Sequence, residues 1–172
     1  MSATRPSPDE HAAQYGRYLA LVPDGDILAT LAAQARETAA LLRGLRADQA
    51  GLRYAPGKWS VRELVGHLTD CERVFAYRAL SFARADAAEL PGFEEDDWAR
   101  TAGHDRFELA DLTADFEAVR TSTLALFGRF DADAWARTGL ANGARISVRA
   151  LAWIIAGHER HHVSVLRERY LA

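Results

Sequence analysis

The sequence predicts an all-α protein built as a four-helix bundle, and three observations lead to this fold class. Four long stretches repeat apolar residues every three to four positions, which is the period of an amphipathic helix. Signals for β-strands are nearly absent. One connection, residues 86–107, is long enough to return the chain along the bundle. A four-helix bundle needs such a crossover when two consecutive helices run in the same direction.

The chain begins with a polar lead-in, residues 1–23, which carries a short helical pattern around Tyr15 and Tyr18. The lead-in ends at a turn, Pro23-Asp24-Gly25, that can also cap the helix that follows. The first long helix is predicted over residues 26–45 because its apolar residues form one stripe. That stripe consists of Ile27, Leu31, Ala35, Leu41, Leu42 and Leu45.

The second long helix has the clearest start in the chain. Pro56-Gly57 interrupts the backbone, and Ser60 and Glu63 then form the S-x-x-E pattern of a capping box. In this motif each of the two side chains satisfies a backbone N–H of the first helical turn. The apolar period continues beyond the cap, so we expect a helix over residues 60–84.

The crossover, residues 86–107, separates the second and third long helices. Pro91 and Gly92 interrupt the helical period there, and we interpret the acidic run Glu94–Asp97 as a solvated loop. The apolar period resumes after the crossover. It predicts the third long helix over residues 108–130.

The C-terminal part of the chain contains one short and one long helical pattern. Residues 131–135 suggest a short helix, and Asn142-Gly143 suggests a turn. Ser147 is a favourable N-cap residue, and the fourth long helix is predicted over residues 147–169. All these elements together are expected to form one domain, residues 1–172.

The composition excludes several classes of function. The 172 residues carry a formal net charge of −3, without the concentrated basic surface that a nucleic-acid partner requires. No stretch approaches the roughly 20 apolar residues of a membrane span, and the polar N-terminus lacks the apolar segment of a secretory signal. Cys71 is the single cysteine, so no intramolecular disulfide can form. We therefore expect a cytoplasmic protein with neither a membrane nor a nucleic-acid partner.

The fourth long helix contains the most informative pattern in the chain. Its inward-facing stripe is Leu151, Ile155, His158, His162 and Val165, so histidines occupy two successive positions of an otherwise aliphatic stripe. Residues four apart on a helix point to the same side, which allows both imidazoles to bind one metal ion. A buried imidazole otherwise needs a hydrogen-bonding partner, and this stripe provides none from its own helix.

A third histidine, His67, lies on the apolar side of the second long helix. It follows the helix start at Ser60 by seven residues, whereas His158 and His162 precede the end of the fourth helix by about ten and six. At about 1.5 Å of rise per residue, all three reach one depth if the two helices are antiparallel. This orientation, the short links and the long crossover together predict the helix order up-down-down-up.

Three neutral imidazoles are suitable ligands for Zn(II), Ni(II), Fe(II) or Mn(II), of which we favour Zn(II) or Ni(II). Three protein ligands leave at least one coordination position open, which is typical of catalytic rather than structural sites. A water bound there would be acidified and could act as a nucleophile. A bound thiol would be deprotonated instead.

Several neighbours of these histidines have a structural and a functional interpretation. We place His161 beside the metal ligands or at the surface, and we interpret Glu63 as part of the capping box rather than as a partner of His67. Cys71 could be a fourth ligand or a reactive thiol, but we interpret it as a small buried apolar residue. Three of the four tryptophans, Trp59, Trp98 and Trp153, are interpreted as core anchors. Trp98 could also cover the site from the crossover.

These residues make the family recognisable. The sequence resembles the DinB-like superfamily of bacterial metalloproteins, and within it the YfiT-like branch. Three segments are similar: PGKWSVRELVGHLTDCERVFAYRAL at 56–80, LPGFEEDDWA at 90–99 and SVRALAWIIAGHERHHVSVLRERYL at 147–171. The resemblance implies a four-helix bundle in up-down-down-up order. It also implies metal ligands at the histidine of the first segment and at the first and last histidines of GHERHH, which are His67, His158 and His162.

The resemblance implies a metal-dependent hydrolase that acts on a small-molecule substrate with a metal-bound water. Some relatives transfer low-molecular-weight thiols to electrophiles, so a metal-dependent thiol S-transferase is the first alternative. A non-enzymatic, stress-linked metal-binding protein is the second. The resemblance also implies a homodimer. The sequence itself identifies no catalytic side chain beyond the metal ligands.

Overall fold

A computed structural model describes residues 4–172, and seven α-helices lie within that range. Four of them are the predicted long helices, and the other three are short. In chain order they are α1 (Gly16–Leu19), α2 (Ile27–Arg43), α3 (Val61–Ala83), α4 (Glu95–Ala102), α5 (Leu109–Phe127), α6 (Ala132–Ala136) and α7 (Val148–Val165), the last extended by a π-helical turn (Leu166–Tyr170).

The predicted helix starts are confirmed by their caps. The Ser60 hydroxyl accepts a hydrogen bond from the Glu63 N–H, and the Glu63 carboxylate accepts one from the Ser60 N–H, which completes the capping box. The side chains of Asp26 and Ser147 cap α2 and α7 in a similar way. The third long helix ends at Phe127, three residues earlier than predicted, because Gly128 terminates it.

The bundle has the predicted up-down-down-up order. At the end of α7, the Tyr170 hydroxyl donates to the carbonyl of Trp59, just before α3, so these two helices are antiparallel. The Ser60 hydroxyl donates to Asp105, which lies just before α5, so α3 and α5 start at the same end of the bundle. The crossover therefore has to run the length of the molecule, as its 86–107 span predicted.

Helices α2 and α7 are parallel. Gln34 donates to the Ala156 carbonyl, and Thr38, one turn further along α2, donates to Glu159, further along α7. These contacts run in the same order on both helices. The first and last helices of the bundle therefore point in the same direction.

The structure also contains a β-hairpin that the sequence did not predict. Strand β1 (Thr138–Ala141) pairs with β2 (Ala144–Ser147) in antiparallel register around the predicted Asn142-Gly143 turn. Both turn residues have positive φ, 52° and 70°, which suits asparagine and glycine. Each strand has only four residues, too few for an alternating pattern to be recognised.

The crossover differs from the predicted solvated loop because it contains α4. The acidic residues 95–97 form the first turn of this helix, where their charges interact favourably with the free N–H groups of the helix start. The helix ends at Gly103, which has a left-handed φ of 63°. The predicted core position of Trp98 is wrong, since its side chain packs on Phe93 and remains 45% exposed.

Two apolar clusters form the core, and a polar layer separates them. The larger cluster surrounds Trp153, and the smaller surrounds Leu64 and Leu166. Between them, each long helix contributes polar side chains to the interior. The buried ones include Gln34, Thr38, His67, Glu72, Arg120, His158 and Glu159. The midsection of the bundle is thus the region where function has to be sought. Within residues 4–172, no helix is both long and apolar enough for a membrane span.

Candidate metal centre

The three predicted histidines meet in the interior. His158 Nε2 lies 3.1 Å from His67 Nε2 and 3.1 Å from His162 Nε2. The ring centroids of His67 and His162 are 4.8 Å apart. The depth and orientation derived from the sequence are therefore correct.

Hydrogen bonding alone does not satisfy this arrangement. A ring nitrogen offers either one N–H or one lone pair in the ring plane, so His158 Nε2 can form a good hydrogen bond with only one of its two neighbours. A metal ion would resolve the conflict, because it would accept a lone pair from each neutral ring that binds it. Nitrogens 3.1 Å apart, each about 2.1 Å from one ion, subtend an angle of about 95° at that ion. Each neighbouring pair, His67 with His158 and His158 with His162, thus fits a divalent cation.

The electrostatic environment keeps the histidines neutral, as metal ligation requires. Burial, assisted by the nearby charge of His104, lowers the pKa of His67 to about 4. Burial and the neighbouring imidazoles lower the pKa values of His158 and His162 well below the ordinary value for histidine. At neutral pH all three rings retain a lone pair for a metal.

A fourth donor, Cys71, lies at the same place. Its sulfur is 3.6 Å from His67 Nε2, and the ligand atoms of His67, Cys71 and His158 all lie within 4.8 Å of one another. Burial, with the charge of Glu95 next in size, raises the pKa of the Cys71 thiol. The interpretation of Cys71 as a buried residue is correct, but its sulfur also faces the histidines.

Aromatic side chains form the wall around the histidines. The Trp59 ring lies 4.5 Å from the His67 ring and 6.3 Å from the His162 ring, measured between centroids. The Tyr18 ring meets the His158 ring edge-on at 5.4 Å. Trp59 is therefore half-buried against the histidines rather than in the main core, and the lead-in contributes directly to the site.

Gly157 explains how the lead-in approaches so closely. A Cβ atom at this position would lie 2.1 Å from the carbonyl oxygen of Tyr18, a distance that two such atoms do not tolerate. Only glycine lets the α1 backbone rest on α7 here. The residue immediately before His158 therefore determines where Tyr18 is placed.

Two cavities reach the histidines. One, of about 150 Å³, is lined by residues that include Cys71 and His158. The other, of about 350 Å³, is lined by residues that include Trp59, His161 and His162. Glu95, at the start of α4, lines both cavities. The predicted position of His161 beside the ligands is thus a position on a cavity wall, and Glu95 is a site residue that the sequence did not single out.

Comparison with known proteins identifies the family. The model of the DinB superfamily matches residues 30–166, which is most of the chain. The chain belongs to the DinB superfamily. A search of curated proteins gave no match.

Several solved structures share the fold of this chain. YfiT from Bacillus subtilis, described as a probable metal-dependent hydrolase with an unusual four-helix bundle topology, matches with a TM-score of 0.68 and 17% identity, over 95% of this chain and 89% of YfiT. The DinB-like protein YjoA from Bacillus subtilis matches with a TM-score of 0.60 and 20% identity, over 83% of this chain and 87% of YjoA.

A mycothiol-dependent maleylpyruvate isomerase also matches, with a TM-score of 0.68 and 13% identity. The match covers 84% of this chain but only 61% of the isomerase. At these identities the three structures show a shared fold. They do not transfer an activity to this chain.

This DinB-superfamily chain also contains a buried ionic network that the sequence did not reveal. Arg120 on α5 forms a two-pronged ion pair with Glu72, both contacts being 2.8 Å, and a 2.7 Å contact with Glu159. It also donates to the Leu31 carbonyl. A packing void too small for water lies between this network and His158. Burial raises the pKa of Glu159, although Arg120 and Thr38 oppose that shift.

Proposed function

We propose that this protein is a metal-dependent hydrolase acting on a small molecule, with the metal held by His67, His158 and His162. The observation that carries the proposal is the convergence of Nε2 atoms on His158, at 3.1 Å from each neighbour, where two cavities meet. The bound ion would supply a nucleophile at neutral pH by acidifying water. A site closed by protein ligands alone would not need two cavities.

Glu95 is the side chain best placed to move protons in this reaction. It lines the smaller cavity together with His158 and the larger one together with His162. In hydrolysis a bond forms between the water oxygen and the substrate centre, and the bond to the leaving group breaks. The Glu95 carboxylate would take the water proton and return it to the leaving group.

Activity assays on the untagged, metal-loaded protein test this proposal. Model esters and amides should be hydrolysed without added thiol, and Glu95→Gln should lower kcat by about a hundredfold or more while metal content stays unchanged. The matched control is Asp97→Asn, because Asp97 lies in the same helical turn but pairs with Arg100 on the surface. Equal activity of Glu95→Gln and the wild type would eliminate the proposed role of Glu95.

A thiol S-transferase is the second candidate, and the two cavities favour it. One cavity could hold a low-molecular-weight thiol and the other an electrophile, with the histidines between them. The similarity in fold to a mycothiol-dependent isomerase supports this candidate. Here the ion would acidify the thiol, whose sulfur then forms the new bond while the leaving group departs from the electrophile.

The two candidates are separated by the requirement for thiol. Turnover of a model electrophile is measured with and without a low-molecular-weight thiol, at equal metal content. Turnover that occurs only with the thiol would reject the hydrolase in favour of the transferase. Turnover that is unchanged by the thiol would reject the transferase in favour of the hydrolase.

A further inference from the structure

The smaller of the two cavities contains a buried positive charge that the fold does not neutralise. Arg78 lies on α3, two turns after Cys71, and is only 2% exposed. It lines the 150 Å³ cavity together with Cys71 and His158. Burying a guanidinium is costly unless its charge is compensated.

The contacts of Arg78 leave most of its donors without a protein acceptor. One amino group donates to the Pro91 carbonyl at 2.8 Å, which is its single hydrogen bond within residues 4–172. Within residues 4–172 no carboxylate lies within 4.0 Å of the Arg78 guanidinium, although Glu95 lines the same cavity. Arginine has five N–H groups in a planar fork.

Arg120 shows what a structurally satisfied arginine looks like in this protein. It is as deeply buried as Arg78, but it has two carboxylates and a backbone carbonyl as partners. Arg120 thereby connects α5 to α2, α3 and α7. Arg78 contacts the crossover through one carbonyl and otherwise borders open space that leads to the candidate metal ligands.

We infer that Arg78 binds the carboxylate of an anionic substrate, an inference that rests on the proposed function and names its substrate class. The planar fork matches a carboxylate with two parallel hydrogen bonds. The bound carboxylate would be held on the α3 wall, so the rest of a small acid would extend towards Cys71 and His158. The exposed Arg17 lines the same cavity and would attract anions to its mouth.

The cavity size supports a small carboxylic acid. At about 150 Å³ the space is well below the roughly 300–1,000 Å³ of pockets for drug-sized ligands. The side chain of Asn142, which is held at the hairpin turn with a φ of 52°, also lines the cavity and provides an amide. A short acid with a second polar group would therefore find partners at both ends.

The test measures binding of acetate and succinate, with acetamide and succinamide as neutral counterparts, by calorimetry. The wild type is used both loaded with Zn(II) and after chelator treatment, since a carboxylate could also bind the ion directly. We expect the acids to bind in both forms and the amides to bind at least about tenfold more weakly. Arg78→Gln should weaken binding of the acids to the metal-free protein by about ten- to a hundredfold.

Two further variants keep the test decisive. Arg84→Gln, which changes the exposed C-cap residue of the same helix, should leave binding unchanged. Arg78→Lys retains the charge but cannot form the two-pronged contact, so it should bind the acids about tenfold more weakly even if Arg78→Gln fails to fold. Metal content is measured for every variant.

The outcomes separate this inference from the proposed function. Equal binding of acids by wild type, Arg78→Gln and Arg78→Lys would overturn the inference, and so would tighter binding of inorganic phosphate than of either acid. A protein that takes up no metal but binds acids through Arg78 would reject the metal-dependent reaction while supporting the carboxylate site. A protein that takes up metal but shows no Arg78-dependent binding of acids would reject the carboxylate site and leave the metal-dependent reaction standing.

Discussion

The interior of this bundle contains two polar layers that lie side by side and differ in one respect. The arginine layer consists of Arg120, Glu72 and Glu159. Arg120 has these two carboxylates and a backbone carbonyl as partners at 2.7–2.9 Å. The histidine layer consists of His67, His158 and His162. His158 Nε2 lies 3.1 Å from a ring nitrogen of each of the other two and can form a good hydrogen bond with only one of them. Arg120, His67 and His158 are buried in the same core, whereas His162 is half-buried.

The difference shows how structural polar groups can be distinguished from functional ones. A buried group whose partners all come from the protein contributes to folding, and its removal should mainly affect stability. A buried group whose protein neighbours cannot satisfy it requires something from outside the chain. Variants in the two layers test this distinction.

Loss of Arg120 should have the largest effect on stability. Arg120→Met leaves Glu72 and Glu159 buried without their cation, and we expect the free energy of unfolding to fall by about 3–5 kcal/mol in urea denaturation. The control is Arg73→Met, whose exposed arginine pairs with Asp115 and should cost less than about 1 kcal/mol. Similar losses in both variants would show that the Arg120 layer is not what stabilises the midsection.

Metal addition should stabilise the protein through the histidine layer. Zn(II) or Ni(II) at about 100 times its dissociation constant should raise the free energy of unfolding by about 2.7 kcal/mol. His158→Ala should abolish the gain, whereas His11→Ala, a histidine of the lead-in, should keep it. Mg(II), which prefers oxygen ligands, is the matched control ion and should have little effect. An equal gain in His158→Ala would place the binding site elsewhere.

The wall of the histidine layer depends on Gly157. Gly157→Ala introduces a Cβ only 2.1 Å from the Tyr18 carbonyl oxygen, and we expect a loss of about 1–3 kcal/mol because the lead-in must move away from α7. Gly16→Ala is the control, since its Cβ would meet nothing closer than 3.9 Å. Thermal unfolding of the two variants compares these effects. No loss in Gly157→Ala would mean that the lead-in does not pack tightly here.

The lead-in is also attached by an ion pair, which predicts a smaller, pH-dependent effect. Burial alone would raise the pKa of Glu10, but hydrogen bonds from Arg149 and Ser7 outweigh it and lower the pKa to about 2. The ionised form therefore stabilises the fold above pH 4.5, and this contribution is lost as the pH falls towards 2. Because Arg149 is partly exposed, we expect Glu10→Gln to cost about 1 kcal/mol at pH 7.

Urea denaturation of Glu10→Gln and the wild type at several pH values checks this prediction. The difference in the free energy of unfolding should be constant above about pH 5 and should shrink below pH 4.5. A difference that grows on acidification would contradict the assigned direction of the pKa shift.

The sequence predicted the bundle and the histidine layer because each has a local signal. Ser60 and Ser147 show where helices begin, and His158 and His162 interrupt an aliphatic stripe at a spacing that a single helix makes visible. His67 could be added because the helix rise converts its position into a depth. These features depend on residues that are close in the chain or on simple helix geometry.

The arginine layer and the cavities were not predictable in this way. Arg120, Glu72 and Glu159 are residue types that usually lie at the surface, and their pairing joins three helices far apart in the sequence. Glu95 reaches the site only because the crossover folds into a helix there. Cys71 could be placed near His67, but its distance to the ligand atoms required coordinates.

The identity of the metal ligands can be sharpened with Cys71. If three histidines bind the ion, Cys71→Ser should keep its metal content, and His162→Ala should lose it. If the ligands are instead His67, Cys71 and His158, the group whose donor atoms lie within 4.8 Å, the two variants should exchange their behaviour. Titration with Co(II) adds an independent readout, because a bound thiolate produces a characteristic absorption.

Elemental analysis of the untagged 172-residue protein is the direct test of the claim that His67, His158 and His162 bind a metal ion. We expect about one divalent ion per chain in the wild type, with Zn or Ni favoured, and less than about a tenth of that in His158→Ala, which lies between the other two ligands. A wild type that contains no metal and takes up neither Zn(II) nor Ni(II) on dialysis would contradict the claim. Full metal content in His158→Ala would contradict it equally.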